Sequence, residues 1–307
     1  MRYRDILGQP ALVANLRDSM QSGRAVHAYF FSGPFGTGKR TLAAISARAL
    51  VCGAEAGIEK PCDICPACRR ALAGTHLDII TMMPEKTSIG VNEVRGLLDR
   101  LSMRAYEAGC QVVIIQRAET LTTQAQNALL KTLESPPGEV VFFLLSELPH
   151  ALLPTVLSRV MTARFTPIAP ELVEHALLSR GVDPNRAGML ANDCDGSVGR
   201  ALMLNEDASY FALRREAQSA LNALAGGGEA ASIAAPLKAK KDEAQRLLDI
   251  FERLGLDGLR GGDGVSGSQS PAFAIKLLRA VIQARKMIKS NVAWAQVIEL
   301  LFMDIGG

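Results

Sequence analysis

An α/β domain on a mostly parallel sheet, continued by an all-helical remainder, is the fold class this sequence predicts. Short apolar runs alternate with amphipathic segments through the first half, a glycine-rich loop joins one such run to the next helix, and the apolar spacing turns helical after Pro170. The strands are expected at Val26 to Ser32, Asp78 to Met83, Cys110 to Gln116, Val140 to Leu145 and Thr162 to Thr166. Val112-Val113-Ile114-Ile115 and Val140 to Leu145 are apolar without alternation, the mark of strands covered on both faces and hence of a parallel sheet.

A helix is expected from about Thr122 to Glu134, where Leu129, Leu130 and Leu133 share a face and Pro136-Pro137 stops continuation. Glu171 to Arg180, Pro184 to Asp193 and Val198 to Asn205 read as a small three-helix unit. Gly226-Gly227-Gly228 and the stretch Gly258 to Ser270 then punctuate a final helical region, the second as a mobile loop.

With 307 residues, 48% hydrophobic and 21% charged, the chain can bury more than one core. It carries no run of eighteen apolar residues, and Met1 to Asp5 lacks the features of a secretory signal, so a soluble, cytoplasmic protein without a membrane partner is expected. A net charge of +3 leaves no strongly basic surface, which counts against a stand-alone DNA-binding protein. His27, His76, His150 and His175 have no mutual spacing that suggests a metal or a catalytic triad.

Gly33-Pro34-Phe35-Gly36-Thr37-Gly38-Lys39 follows an expected strand and opens an expected helix, the context of a phosphate-binding loop. Its glycines let successive N–H groups point into one concavity at a helix N-terminus, with Lys39 reaching the β- and γ-phosphates. Arg40 stands where such loops carry the Ser or Thr that ligates magnesium, and Thr41 is displaced by about a hundred degrees of helical turn. The strand Val112 to Ile115 ends in Gln116-Arg117, where magnesium chemistry asks for acidic residues. Glu119 lies beyond the strand end and reads as a solvated residue at a helix start. Lys39 and the loop backbone remain compatible with ATP or ADP bound without hydrolysis.

Of the six cysteines, Cys52, Cys62, Cys65 and Cys68 have the spacing C-x9-C-x2-C-x2-C. Four thiolates closing a tetrahedral site point to a structural zinc with no open position for water, bracing a module over about 52–68. Cys110 and Cys194 read as packing residues.

The opening Ile6-Leu7-Gly8-Gln9, the segment His27 to Pro34, the cysteine module, Asn127 to Glu134 with its prolines, Leu153 to Arg159, and Gly196 to Leu202 occur in this order. Together they resemble one family, the gamma and delta-prime subunits of the bacterial sliding-clamp loader of DNA polymerase III, and the degenerate magnesium motifs are similar to its delta-prime branch. The resemblance implies an AAA+ α/β domain with the zinc insertion over 1–168, a helical lid over 169–206 and a helical collar over 207–307. It implies a ring of five subunits, with gamma or tau and delta as neighbours and with the sliding clamp and primed DNA as partners of the whole.

In the family, an arginine in a Ser-Arg-Cys motif faces the γ-phosphate held by the adjacent subunit; here the motif is Ser158-Arg159-Val160, so Arg159 is the catalytic candidate, acting in trans. Arg200 matches the family's second nucleotide sensor and Ser146 its first. The expectation is a subunit without intrinsic ATPase activity that completes a neighbour's site. The alternative is an active, gamma-like ATPase in which Thr41 or Glu119 takes over the missing roles, which needs two replacements at once.

Overall fold

The computed structural model describes residues 2–55, 57–260 and 271–306. Its described residues cluster into two compact units, drawn from 1–172 with 196–200 and from 173–195 with 201–307.

The first unit is built on five strands, β1 (Ala28–Ser32), β2 (Ile79–Met82), β3 (Gln111–Ile115), β4 (Val140–Ser146) and β5 (Met161–Arg164), in the order β2-β3-β4-β1-β5. All pairings are parallel, with Ala28 opposite Phe142, Gln111 opposite Val140, Ile79 opposite Val112 and Tyr29 opposite Met161. Each strand overlaps a run the sequence marks as one, although β5 starts one residue before the expected Thr162 and ends two before Thr166. β1 starts two residues later than expected because the Val26 N–H donates to the Tyr29 hydroxyl at 2.9 Å instead of joining a ladder.

The apolar runs are continuous because both faces of the sheet are covered. Tyr29, Phe31, Val112, Ile114, Phe143 and Leu145 pack beneath α1 (Pro10–Gln21) and α2 (Lys39–Leu50). Phe30, Val113, Ile115, Phe142 and Leu144 pack under α4 (Val91–Leu101) and α5 (Thr123–Glu134), with α3 (Pro66–Leu72) lying between α2 and β2 in sequence. Tyr29 stacks on Phe143 with ring centres 5.2 Å apart, binding β1 to β4 on one face. α5 starts where the sequence places it: the Thr122 side chain accepts the Ala125 N–H at 3.2 Å, and the helix ends at Glu134 before the prolines. The short α6 (Pro154–Leu157) leads into β5.

The remaining helices are α7 (Pro170–Leu178), α8 (Pro184–Asp193), α9 (Val198–Glu206), α10 (Ala208–Ala225), α11 (Ala230–Lys238), α12 (Ala244–Arg260), α13 (Pro271–Lys289) and α14 (Trp294–Gly306). The first three match the expected three-helix set. Asp183 and Asp207 cap α8 and α10 by accepting the N–H groups of Arg186 and Tyr210, each at 3.1 Å. Phe251 and Phe302 meet edge to face at 5.7 Å in the core of α12 and α14.

The sequence reading opens a loop at Gly258, but α12 runs on to Arg260. Gly255 and Gly258 are contact points for α13: a Cβ at Gly255 would lie 3.0 Å from Leu278, and one at Gly258 would lie 3.4 Å from Ala274. These glycines therefore allow close helix packing instead of breaking the helix. Residues 261–270, the rest of the expected mobile loop, lie outside the described residues. Among the described residues no helix is long and apolar enough to cross a membrane.

One charged group is fully enclosed in the second unit. Asp193, at the end of α8, accepts the Tyr210 hydroxyl at 2.5 Å and Arg214 Nε at 2.7 Å, and Asp257 lies 3.7 Å from Arg214 Nη2. Burial and the Asp193 charge push the Tyr210 phenol upward, so it stays protonated and donates. Asp193→Ala strips Arg214 of its nearest counter-ion in a dry site, and a loss of about 3–5 kcal/mol is expected. Urea unfolding followed by circular dichroism checks it, and a midpoint unchanged from wild type would contradict the account.

Candidate nucleotide loop, cysteine cluster and exposed arginine

The glycine-rich loop leaves the C-terminal end of β1 and enters α2. Gly33, Gly36 and Gly38 have φ of 146°, 70° and 97°, conformations that L side chains rarely adopt, and the Gly33 N–H is tied to the Ser146 carbonyl of β4 at 3.2 Å. The loop thus sits across the ends of the neighbouring strands β1 and β4, where parallel α/β sheets bind ligands. Gly33, Gly36, Thr37, Gly38 and Lys39 all lie in this one turn.

Thr37 Oγ1 donates to the Pro34 carbonyl at 2.8 Å, and Lys39 Nζ donates to the carbonyls of Gly33 and Pro34, each at 2.6 Å. Burial pulls the Lys39 pKa below its ordinary value, with Glu147 and Glu119 opposing the shift. The segment before Arg200 lies directly on the loop: the Gly199 N–H donates to the Gly36 carbonyl at 3.1 Å, and a Cβ at Gly199 would stand 2.7 Å from the Gly36 Cα. A Cβ at Gly36 would in turn meet the Arg200 nitrogen at 2.9 Å, so Arg200 is placed beside the loop by its backbone.

The magnesium positions are occupied by cations and an amide. Arg40 is exposed on the first turn of α2, and Arg117 is an exposed residue in left-handed backbone, φ 53°, just past β3. Gln116 uses its N–H to extend the β2 ladder, bonding the Met82 carbonyl at 2.8 Å. Glu119 departs from the expected solvated residue. Its side chain is only 16% exposed, Oε2 is buried without a hydrogen-bond partner, and after Glu147 the carboxylate partly opposes the lowering of the Lys39 pKa. Ser146 closes a local turn, its hydroxyl donating to the Leu148 carbonyl and accepting the Leu148 N–H, both at 3.0 Å.

Cys52, Cys62, Cys65 and Cys68 converge with all four sulfurs within 4.8 Å of one another. A tetrahedral zinc with Zn–S near 2.3 Å asks for sulfur pairs of about 3.8 Å, so the cluster fits the ion with a small contraction. Backbone N–H groups point at the sulfurs, Cys65 N to Cys62 at 3.4 Å, Cys68 N to Cys65 at 3.4 Å and Cys62 N to Cys52 at 3.5 Å, the pattern that favours thiolates. Against the opposing effect of burial, the N–H groups of Cys65 and Ile64 hold the Cys62 thiol down to about 6, whereas burial pushes the Cys52 and Cys68 thiols up in the metal-free cluster. The cluster can therefore bind zinc.

Cys110 and Cys194 stand outside it; the Cys110 thiol faces the Leu50 carbonyl at 3.8 Å, and Cys194 is buried at the end of α8. Sequence reasoning passed over Asp63. In left-handed backbone, φ 62°, between two of the cysteines, its carboxylate lies 3.3 Å from Arg48 of α2 and 3.4 Å from Arg2. The knuckle is thus fastened to the helix that begins with Lys39. A non-glycine residue such as Asp between paired cysteines is the only local signal.

Arg159 follows α6, and its guanidinium is held by Glu134 at the C-terminal end of α5, with Nε donating to Oε1 at 2.8 Å and Nη2 donating to the same oxygen. Nη1 donates to the Thr155 carbonyl at 2.8 Å and to Ser158 Oγ at 3.1 Å. The His27 ring is hydrogen-bonded to the Arg159 carbonyl at 3.2 Å. None of these partners belongs to the phosphate loop.

A five-stranded parallel sheet in this order, with a phosphate loop after β1 and a following helical unit, defines a P-loop protein of AAA+ architecture. A family model described as DNA polymerase III, delta subunit, matches residues 8–169. The DNA polymerase III subunit delta' of Escherichia coli is 35% identical over 254 residues, covering 81% of this chain and 74% of that one. The delta' subunit of Bacillus subtilis is 34% identical over 202 residues, covering 66% of this chain and 60% of that one. The Bacillus subtilis tau subunit is 32% identical over 217 residues, 68% of this chain but 38% of its own length. The chain thus spans less than two thirds of both Bacillus relatives. It belongs to the delta-prime family of DNA polymerase III subunits.

Proposed function

We propose that this chain is a clamp-loader subunit that does not hydrolyse ATP itself and supplies Arg159 to the ATP site of an adjoining gamma or tau subunit, in a ring that also holds delta and places the sliding clamp on primed DNA. The observation that carries the reading is the pair Arg40 and Arg117, exposed cations where a magnesium ion would need a hydroxyl and a carboxylate. In this reading residues 169–206 are a lid and 207–307 a collar, the cysteines hold a structural zinc, and Lys39, Thr37, the loop glycines and Arg200 retain at most unhydrolysed nucleotide. The protein works in the cytoplasm, where replication takes place.

Glu119 favours a second reading, an active ATPase, because its enclosed carboxylate lies near Lys39. Steady-state ATP hydrolysis by the isolated chain separates the two. Absence of turnover is expected; sustained turnover that Glu119→Gln abolishes would replace the first reading by the second.

A further inference from the structure

The surroundings of Arg159 contain an acidic residue in an unfavourable place. Glu134 is the last residue of α5, where the helix already presents partial negative charge and a cation is the stabilising choice. Its carboxylate spends one oxygen on two nitrogens of Arg159, across 25 residues of sequence. The pair lies at the surface, Glu134 with 51% and Arg159 with 33% of the side chain exposed, where an ion pair adds little stability. Stability alone therefore gives a weak reason for the arrangement.

Donor arithmetic supplies a better one. A guanidinium has five N–H groups. Nε–H and one N–H of Nη2 go to Glu134, and both N–H groups of Nη1 go to the Thr155 carbonyl and Ser158 Oγ. One N–H of Nη2 is left. A phosphate is gripped by two parallel N–H groups. Each edge of this guanidinium that could offer two already has at least one committed, and the edge formed by Nε and Nη2 is held by a full opposing charge.

We propose that Glu134 restrains Arg159: its carboxylate occupies the Nε and Nη2 edge, and the nucleotide phosphate of a neighbouring subunit must displace it before the arginine can act. Glu134 is thus a positioning residue, acting only through Arg159. Pairing and release cost little on either side because both groups reach water, which suits a contact that must be exchanged. The inference rests on the role proposed above for Arg159.

The experiment uses the complex reconstituted with gamma or tau and delta, with ATP hydrolysis measured without clamp and DNA and again with both. Glu134→Gln keeps the shape and removes the charge. It is expected to raise the unstimulated rate by about two- to fivefold, the scale of a surface ion pair. Glu134→Ala should raise it at least as much. In an Arg159→Ala background neither change should have any effect, whereas a merely structural role of Glu134 would persist there.

An unstimulated rate that stays level or falls in Glu134→Gln, while Arg159→Ala abolishes stimulated hydrolysis, overturns the restraint and leaves the arginine's role standing. A stimulated rate untouched by Arg159→Ala overturns that role and the restraint with it. Melting curves of the isolated variants, expected to match wild type at these exposed positions, exclude unfolding as the cause.

Discussion

Replacing Arg159 by Ala is expected to slow hydrolysis at the adjoining ATP site by about 10³ to 10⁵, the range over which an arginine supplied in trans stabilises the charge on the transferring phosphoryl group. That corresponds to roughly 4–7 kcal/mol of transition-state stabilisation. The side chain is a third exposed and is held by Glu134, Thr155 and Ser158, none of them in the phosphate loop, so truncation removes charge without opening a core. Single-turnover hydrolysis by the clamp-stimulated complex reads the effect, with size-exclusion chromatography confirming that the variant still assembles. Arg159→Lys should recover little of the rate, because a lysine ammonium cannot reproduce the planar, two-pronged grip of a guanidinium. An assembled complex that hydrolyses ATP at the wild-type rate with Ala at this position would make the subunit a scaffold.

The second large effect is expected from the cysteine cluster. Zinc that binds the folded chain and not the unfolded one adds about 4 kcal/mol when free metal exceeds its dissociation constant a thousandfold. For a unit of this size that is a shift of about 8–16 °C in the melting temperature. Chelation, or Cys68→Ser at a fully buried ligand, should lower melting by this order, and added zinc should restore the chelated wild type but not the variant. Acid should loosen the metal as well, since thiolates must take up protons on release. A melting curve indifferent to chelator would remove the structural role of the site.

Much of this was legible in the sequence because it is local. Val112 to Ile115 and Val140 to Leu145 announce strands covered twice, and they are two of the three inner strands of the sheet. The loop from Gly33 to Lys39 and the four cysteines are fixed spacings of special residue types, and in the fold the glycines take positive φ and the four sulfurs converge. The pairings between distant segments left no such trace. Glu134 and Arg159, Asp63 and Arg48, and Gly199 against Gly36 each join residues with no period between them. Glu119 failed for a related reason: its position past a strand suggests solvent, and only the folded surroundings enclose it. Gly258 was misread because a glycine that breaks a helix and one that admits a neighbouring helix look alike in one dimension.

The ion pair between Asp63 and Arg48 ties the cysteine knuckle to the far end of α2. Arg48 lies nine residues along the same helix from Lys39, a rod of about 13 Å, and a single α-helix of that length is stiff. Tyr3 braces it as well, donating its hydroxyl to Ser46 at 3.2 Å, so the N-terminal segment and the cysteine knuckle both grip the distal half of the helix. One stiff helix therefore runs from the cysteine knuckle to the phosphate loop like a strut between two joints.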